Sequence, residues 1–243
     1  MRTFFALLLI VVVFSCEQDK VIEETNILTD FDGNTYETVV IGNQEWMVEN
    51  LKVTHYADGT PIPLVEDEGI WDNLGSTDKA YCFYDNSSSN GDIYGALYTW
   101  AAAMNGQDGS DNNPSGVQGA CPTGWHLPSD AEWKELEMYL GMSQEDADDT
   151  GWRGTDEGIK LKAESGWIQD GNGTNESGFT ALPGGYRSGG GAFAFDGVAG
   201  IWWTSKVINS DSAWYRSIYD NRNNIARNVW IKNYGYSVRC LKD

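Results

Sequence analysis

The sequence predicts an α+β domain. Three observations carry that prediction: β-prone runs lie near both ends of the chain, the clearest helical signal lies between them at residues 129–141, and no repeat of fixed period runs through the 243 residues. Composition agrees with a packed core, since 41% hydrophobic residues with 11 Trp and 12 Tyr allow burial to offset ordering entropy. It also excludes classes. Sixteen Lys and Arg against 36 Asp and Glu give a formal charge of −20. Nucleic acid requires the opposite, so no nucleic-acid partner is expected. With 2 His and 4 Cys, a zinc cluster or haem site has few ligands to draw on.

At the N-terminus, Arg2 precedes eleven apolar residues, 4–14. At ~1.5 Å per residue that run is too short for a ~30 Å hydrocarbon core, and residues 1–15 read as a signal peptide. Val13-Phe14-Ser15-Cys16 resembles a bacterial lipobox with Cys16 as the lipidated residue, although Phe14 stands where a small residue is usual. An ordinary signal peptide with an incidental cysteine is the alternative. Acyl chains contribute ~0.8 kcal/mol per buried CH₂, so several would hold the chain on a membrane through the lipid anchor only. Residues 16–29 then form a polar, acidic tether, similar to surface-export signals of some Bacteroidetes lipoproteins or simply a solvated linker. The expected location is the bacterial cell envelope, as an outer-membrane lipoprotein.

Residues 35–41 and 44–48, parted by Gly42 and Asn43, predict a β-hairpin. Residues 58–92 carry Gly, Pro and polar turn signals and read as loop. The Ala-rich run 94–104 reads as helix, with a buried strand as the alternative. Ser129 and Glu132 form a capping box, Trp133, Leu136 and Leu140 follow at helical spacing, and Gly141 ends the helix. A second, shorter helix starts at Ser143. Beyond Gly151, aromatic runs at 178–182, 200–204, 213–218 and 236–240 predict strands joined by long loops. Trp46, Trp133, Trp202 and Trp203 are assigned to the core. Trp214 and Tyr215, beside the polar loop 209–212, are the candidates for exposure.

The segment Cys121-Pro-Thr-Gly-Trp-His-Leu-Pro-Ser-Asp-Ala-Glu-Trp133, with Tyr94-Gly-Ala-Leu-Tyr-Thr-Trp-Ala-Ala102, resembles the Fibrobacter succinogenes major paralogous domain. Gln44-Glu-Trp-Met-Val-Glu-Asn-Leu51, Gly178-Phe-Thr-Ala-Leu-Pro-Gly-Gly-Tyr-Arg187 and Tyr236-Ser-Val-Arg-Cys-Leu-Lys-Asp243 fit the same family, in its order, across residues 30–243. The family occurs in bacterial secreted proteins and lipoproteins without an established general activity. A weaker similarity links residues 127–133, the Gly-Gly-Tyr-Arg segment and the terminal Ser-Val-Arg to formylglycine-generating-enzyme-like proteins. That resemblance implies a C-type-lectin-like fold, with small twisted antiparallel sheets, two helices and long irregular loops. It does not carry over that enzyme's activity, because Cys240 stands alone where a cysteine pair is used. In such folds the regions of Cys121 and Cys240 are neighbours, which implies a Cys121–Cys240 disulfide and leaves Cys82 as a buried free thiol.

Common nucleophile, phosphate-loop, dinucleotide and zinc motifs are absent from the sequence, so no catalytic residue and no metal ligand is assigned. Residues 170–176 and 108–113 loosely resemble calcium loops. The first lacks Gly at its sixth position and the acid at its twelfth. Calcium therefore stays open and no cofactor is expected. Residues 187–243 hold 8 basic and 4 acidic residues, an excess of four positive charges in an acidic protein. Either these arginines pair with the domain's own acids, or they present a cationic surface. The ligand-binding candidates are Arg187, Trp214, Tyr215, Arg216, Asn221 and Arg222. The expected function is non-catalytic binding or adhesion toward a glycan or protein ligand. A polysaccharide-active enzyme and a structural envelope protein are the alternatives.

Overall fold

A computed structural model describes residues 27–243. The predicted signal peptide, Cys16 and most of the tether lie outside the described residues. The hairpin forms as read: β1 (Ile27–Thr29), β2 (Thr35–Ile41) and β3 (Gln44–Met47) are antiparallel, and Ile41 faces Gln44 across the turn. Gly42 is required there twice over. Its φ is +64°, and an added Cβ would lie 2.9 Å from the Tyr139 ring.

The chain continues through α1 (Glu68–Asp72), β4 (Tyr81–Cys82), α2 (Ser88–Tyr94), β5 (Leu97–Tyr98), α3 (Trp100–Ala103), β6 (Trp125–His126), α4 (Asp130–Tyr139) and α5 (Gln144–Asp148). It ends with β7 (Gly151–Arg153), α6 (Glu157–Leu161), β8 (Gly184–Arg187), β9 (Phe193–Asp196), β10 (Ala199–Val207), β11 (Ser212–Tyr219), β12 (Ile225–Ile231) and β13 (Leu241–Lys242). One antiparallel sheet has the order β1-β2-β3-β13-β6, another β10-β11-β12-β7, and β4–β5 and the β8–β9 hairpin are separate two-stranded sheets. This is a mixed α+β architecture with short helices.

The two ends of the domain are joined. Leu241 pairs with both Trp46 and His126, and Cys121 and Cys240 form the expected disulfide across 119 residues. Closing a loop of that length removes unfolded-state entropy worth about 4–5 kcal/mol in the chain-entropy account. Helix α4 is held by a reciprocal capping box: the Ser129 side chain accepts from the Glu132 amide while Glu132 accepts from the Ser129 amide. Trp133, Trp46, Phe179 and Trp202 meet beneath it with ring centroids 5.0–6.1 Å apart. Because side chains alternate along a strand, Trp202 enters this cluster while Trp203 enters a second one with Tyr98 and Tyr236. All four tryptophans assigned to the core are fully buried.

The loop reading of 58–92 missed α1, β4 and most of α2, which are too short to leave a periodic signal. The long helix at 94–104 contracts to α3, because Gly95 sits at φ +78° and β5 pairs with β4. Residues 178–182 and 236–240 are not regular strands. They cross the core as single bridges, Lys162 to Ala181 and Tyr98 to Tyr236 among them.

Candidate functional site

The sheet β10-β11-β12-β7 has two different faces, set by strand parity. On the inner face, toward α4, lie Trp202, Trp214, Arg216, Arg227 and Arg153, with Trp202 opposite Arg216 and Arg216 opposite Arg227. Three buried guanidiniums there meet two buried carboxylates from α4. Arg216 donates to Asp130 at 2.8 Å and to Glu137 at 2.7 Å, Arg227 donates twice to Asp130 at 2.7 Å, and Arg153 donates to Glu137 at 2.5 Å. Burial pushes the Asp130 carboxyl up, but Arg227 and Arg216 outweigh it and hold the group far below the usual carboxylate range. Trp214 closes this network. It is only 9% exposed, and the Arg227 guanidinium lies 3.9 Å above its ring.

The opposite, outer face carries rings in place of charges; Ile201, Trp203 and Ala213 on it are buried in the second core cluster, and only part of the face reaches solvent. Tyr215, Ser217 and Tyr219 of β11, Asn228 and Trp230 of β12 and Trp152 of β7 all point away from α4. The β8–β9 hairpin adds Tyr186 and Phe195, and the segment after β12 adds Tyr234. The rings form an unbroken row: Trp230–Tyr234 at 5.8 Å, Tyr234–Tyr186 at 5.8 Å, Tyr186–Phe195 at 5.5 Å, Phe195–Tyr219 at 5.7 Å and Tyr219–Trp152 at 5.2 Å. Trp152, Phe195 and Trp230 are 37%, 41% and 47% exposed, and Tyr186, Tyr215, Tyr219 and Tyr234 are half-buried. Phe195 has φ +67°, a conformation that a bulky residue adopts only under constraint. Burial raises the Tyr186 and Tyr219 hydroxyls above the ordinary phenol range and pushes Tyr215 up to about 12. At neutral pH they are uncharged hydrogen-bonding groups.

A buried cation fixes the loop that delivers part of this row. Lys162 donates to the carbonyl oxygens of Tyr219, Asp220 and Arg222 at 3.1–3.3 Å. The same device recurs. Arg187 donates to the carbonyls of Gly191, Val65 and Glu66 between the rings of Trp71 and Phe193, and Lys232 holds the carbonyls of Asn209 and Ser210 beside Trp100. Arg239 holds Asn50 and the Phe179 carbonyl. These side chains supply donors to oxygen atoms in the irregular connections and at strand ends.

Three of the sequence candidates therefore change place. Arg187 and Arg216 are 1% and 0% exposed, engaged by backbone carbonyls and by carboxylates, and do not face a ligand. Trp214 lies on the inner face and not in the open. Tyr215 reaches the outer face, and Asn221 and Arg222 are exposed at its edge, with Arg222 5.2 Å from the Trp152 ring. Five of the eight basic residues in 187–243 are buried, which removes most of the cationic surface; of the five, Arg216 and Arg227 pair with the domain's own acids, whereas Arg187, Lys232 and Arg239 bond neutral oxygens. Trp152, Tyr186, Phe195, Tyr219, Trp230 and Tyr234 were missed as site residues; the signal was an aromatic at alternate positions facing an arginine at the others.

The loops that resemble calcium sites are internally bonded: Asn172 accepts from the Trp167 amide, Asn175 bonds Thr180, and Asp111 pairs with Lys206 at 2.7 Å. Among the described residues no group of three His, Cys, Asp or Glu side chains is placed to hold a metal. A cavity of about 500 Å³ on the far side of α4 is lined by Glu132, Glu135 and Asp243. Each of these acids is engaged. His126 lies between Glu132 and Asp243, 2.8 Å from each, and Asn113 donates to Glu135 at 2.7 Å. Cys82 is a buried free thiol pushed up to about 12 by burial. No helix among the described residues is long and apolar enough to cross a membrane.

The model of the Fibrobacter succinogenes major domain matches residues 39–242. The chain belongs to this family. None of the curated proteins and none of the solved structures compared with it matches. The matched region of this family member contains every residue of the aromatic row and of the charge network beneath it.

Proposed function

We propose that this family member is a non-catalytic binding module and that its contact surface is the outer aromatic face of the second sheet, which takes a glycan. The observation that carries the reading is the row from Trp230 to Trp152, half open to solvent and backed by a rigid charged layer. Aromatic faces cover the apolar faces of pyranose rings, and neutral tyrosine hydroxyls with the Asn228 amide offer hydrogen bonds to sugar hydroxyls. The joined ends, the disulfide and the long irregular connections support the C-type-lectin-like reading of the fold. With Cys16 as a lipid anchor and residues 16–29 as a tether, the module would stand off the outer membrane of the cell envelope.

A glycan array probed with the chain, in calcium and again in chelator, tests this. Binding is expected in both conditions, because the contacts are aromatic and uncharged, and Trp152→Ala or Trp230→Ala should weaken it about tenfold or more. Absence of binding in both conditions overturns the glycan reading and turns attention to a protein partner. Release of the Cys16→Ala protein from membranes tests the anchor; its retention there contradicts it.

A further inference from the structure

We infer that the glycan is an uncharged polysaccharide lying along the aromatic row, and that the fold is built to refuse acidic polymers. This rests on the reading of the outer face as a glycan site. The inference comes from where the charges are. Of the 14 Lys and Arg at residues 27–243, seven are buried, whereas only six of the 32 Asp and Glu are, so the surface of the described domain carries 26 carboxylates against seven cations. The acid excess is set by the sequence, 32 against 14, and burial halves the cations left at the surface. Carbonyl-holding Lys162, Arg187, Lys232 and Arg239 and the inner-face arginines take the cations inward, and several are the basic residues closest in sequence to the aromatic row. What the row itself offers is neutral: phenols, indoles and an amide. Asp196 is exposed at its middle beside Phe195. A cation at its rim, Arg222, lies over the Trp152 ring.

An anionic chain entering this surface would meet a repulsive field at low salt, where the Debye length reaches roughly 20–30 Å, and would find no cation to receive each acidic sugar. A neutral chain meets neither penalty. The row also favours length over a chain end: its five successive ring contacts run across four elements, β12, the β8–β9 hairpin, β11 and β7, and the rings at both ends, Trp230 and Trp152, are exposed.

The test is affinity electrophoresis of the full chain in gels containing dextran, glucomannan, xylan or hydroxyethylcellulose, each beside its carboxymethylated derivative, at 20 mM and 500 mM NaCl. At least one neutral polymer should retard the protein equally at both salt concentrations. Its carboxymethyl derivative should bind at least tenfold more weakly in 20 mM salt and recover part of that loss in 500 mM. Trp152→Ala should abolish retardation by the neutral polymer. Equal or tighter binding of the carboxymethyl form in 20 mM salt, still lost in Trp152→Ala, overturns the charge inference and leaves the aromatic site standing. Failure of every polymer, neutral and acidic, overturns the glycan site itself.

Discussion

Trp152 and Trp214 belong to one sheet, and each lies beneath an arginine, yet they have different jobs. Trp214 faces α4, where Arg227 sits 3.9 Å above it inside a network with Asp130. Trp152 faces solvent, with Arg222 5.2 Å away and Tyr219 packed edge-on against it. The difference shows how this sheet departs from the usual arrangement of an antiparallel sheet: its arginines point inward together with Trp202 and Trp214, and the aromatics that reach solvent are on the other face. A buried ionic layer is costly to assemble, and in return it gives the outer face a fixed floor.

The largest effect should come from breaking the inner face. Asp130→Ala leaves Arg216 and Arg227 without their shared carboxylate and should cost about 3–5 kcal/mol, because removing one partner strands buried charge. For a domain of this size that lowers Tm by roughly 6–20 °C in calorimetry. A shift under a few degrees would contradict the structural role given to the network. Reducing the Cys121–Cys240 disulfide should cost a similar amount, up to about 4–5 kcal/mol, read from denaturation midpoints with and without reductant.

A middle-sized effect sharpens the comparison by pH. Asp130 is held ionised by its arginines, so its contribution is present above the ordinary aspartate range and is lost as pH falls below it. His126 behaves oppositely. Burial disfavours its charge, but Glu132 and Asp243 prevail and raise its pKa above the ordinary histidine value. Its contribution is therefore complete below that value and disappears as pH rises through the raised one. Thermal unfolding scanned from pH 6 to 9 should show a decline that Asp243→Ala makes shallower; an unchanged slope in that variant would refute the assignment. The smallest effect concerns Cys82, which should resist thiol reagents at pH 8 until the chain unfolds.

How much of this was legible depends on whether the signal was local. The hairpin at Gly42 and Asn43 and the capping box of Ser129 and Glu132 are written within a few residues, and both form. The disulfide came from resemblance. Trp214 and Tyr215 show the limit. Adjacent strand residues must face opposite sides, but which side is buried depends on α4, 79 residues upstream at the Glu137–Arg216 contact. Strand β12 was hidden for the same reason, since Arg227 reads as a solvent-facing residue until its partner Asp130 is known. Arg187 and Lys162 bond backbone carbonyls, a pairing that leaves no complementary side chain for a sequence reading to find.

The most direct test of the two-faced sheet compares Trp152→Ala with Trp214→Ala, measuring Tm and glycan binding on each. Trp152→Ala should lose binding about tenfold or more while keeping Tm within a few degrees. Trp214→Ala should lose about 3 kcal/mol of stability through the cavity it leaves, with the folded protein still binding as the unaltered chain does. Loss of binding in folded Trp214→Ala, with Trp152→Ala binding normally, would contradict the account.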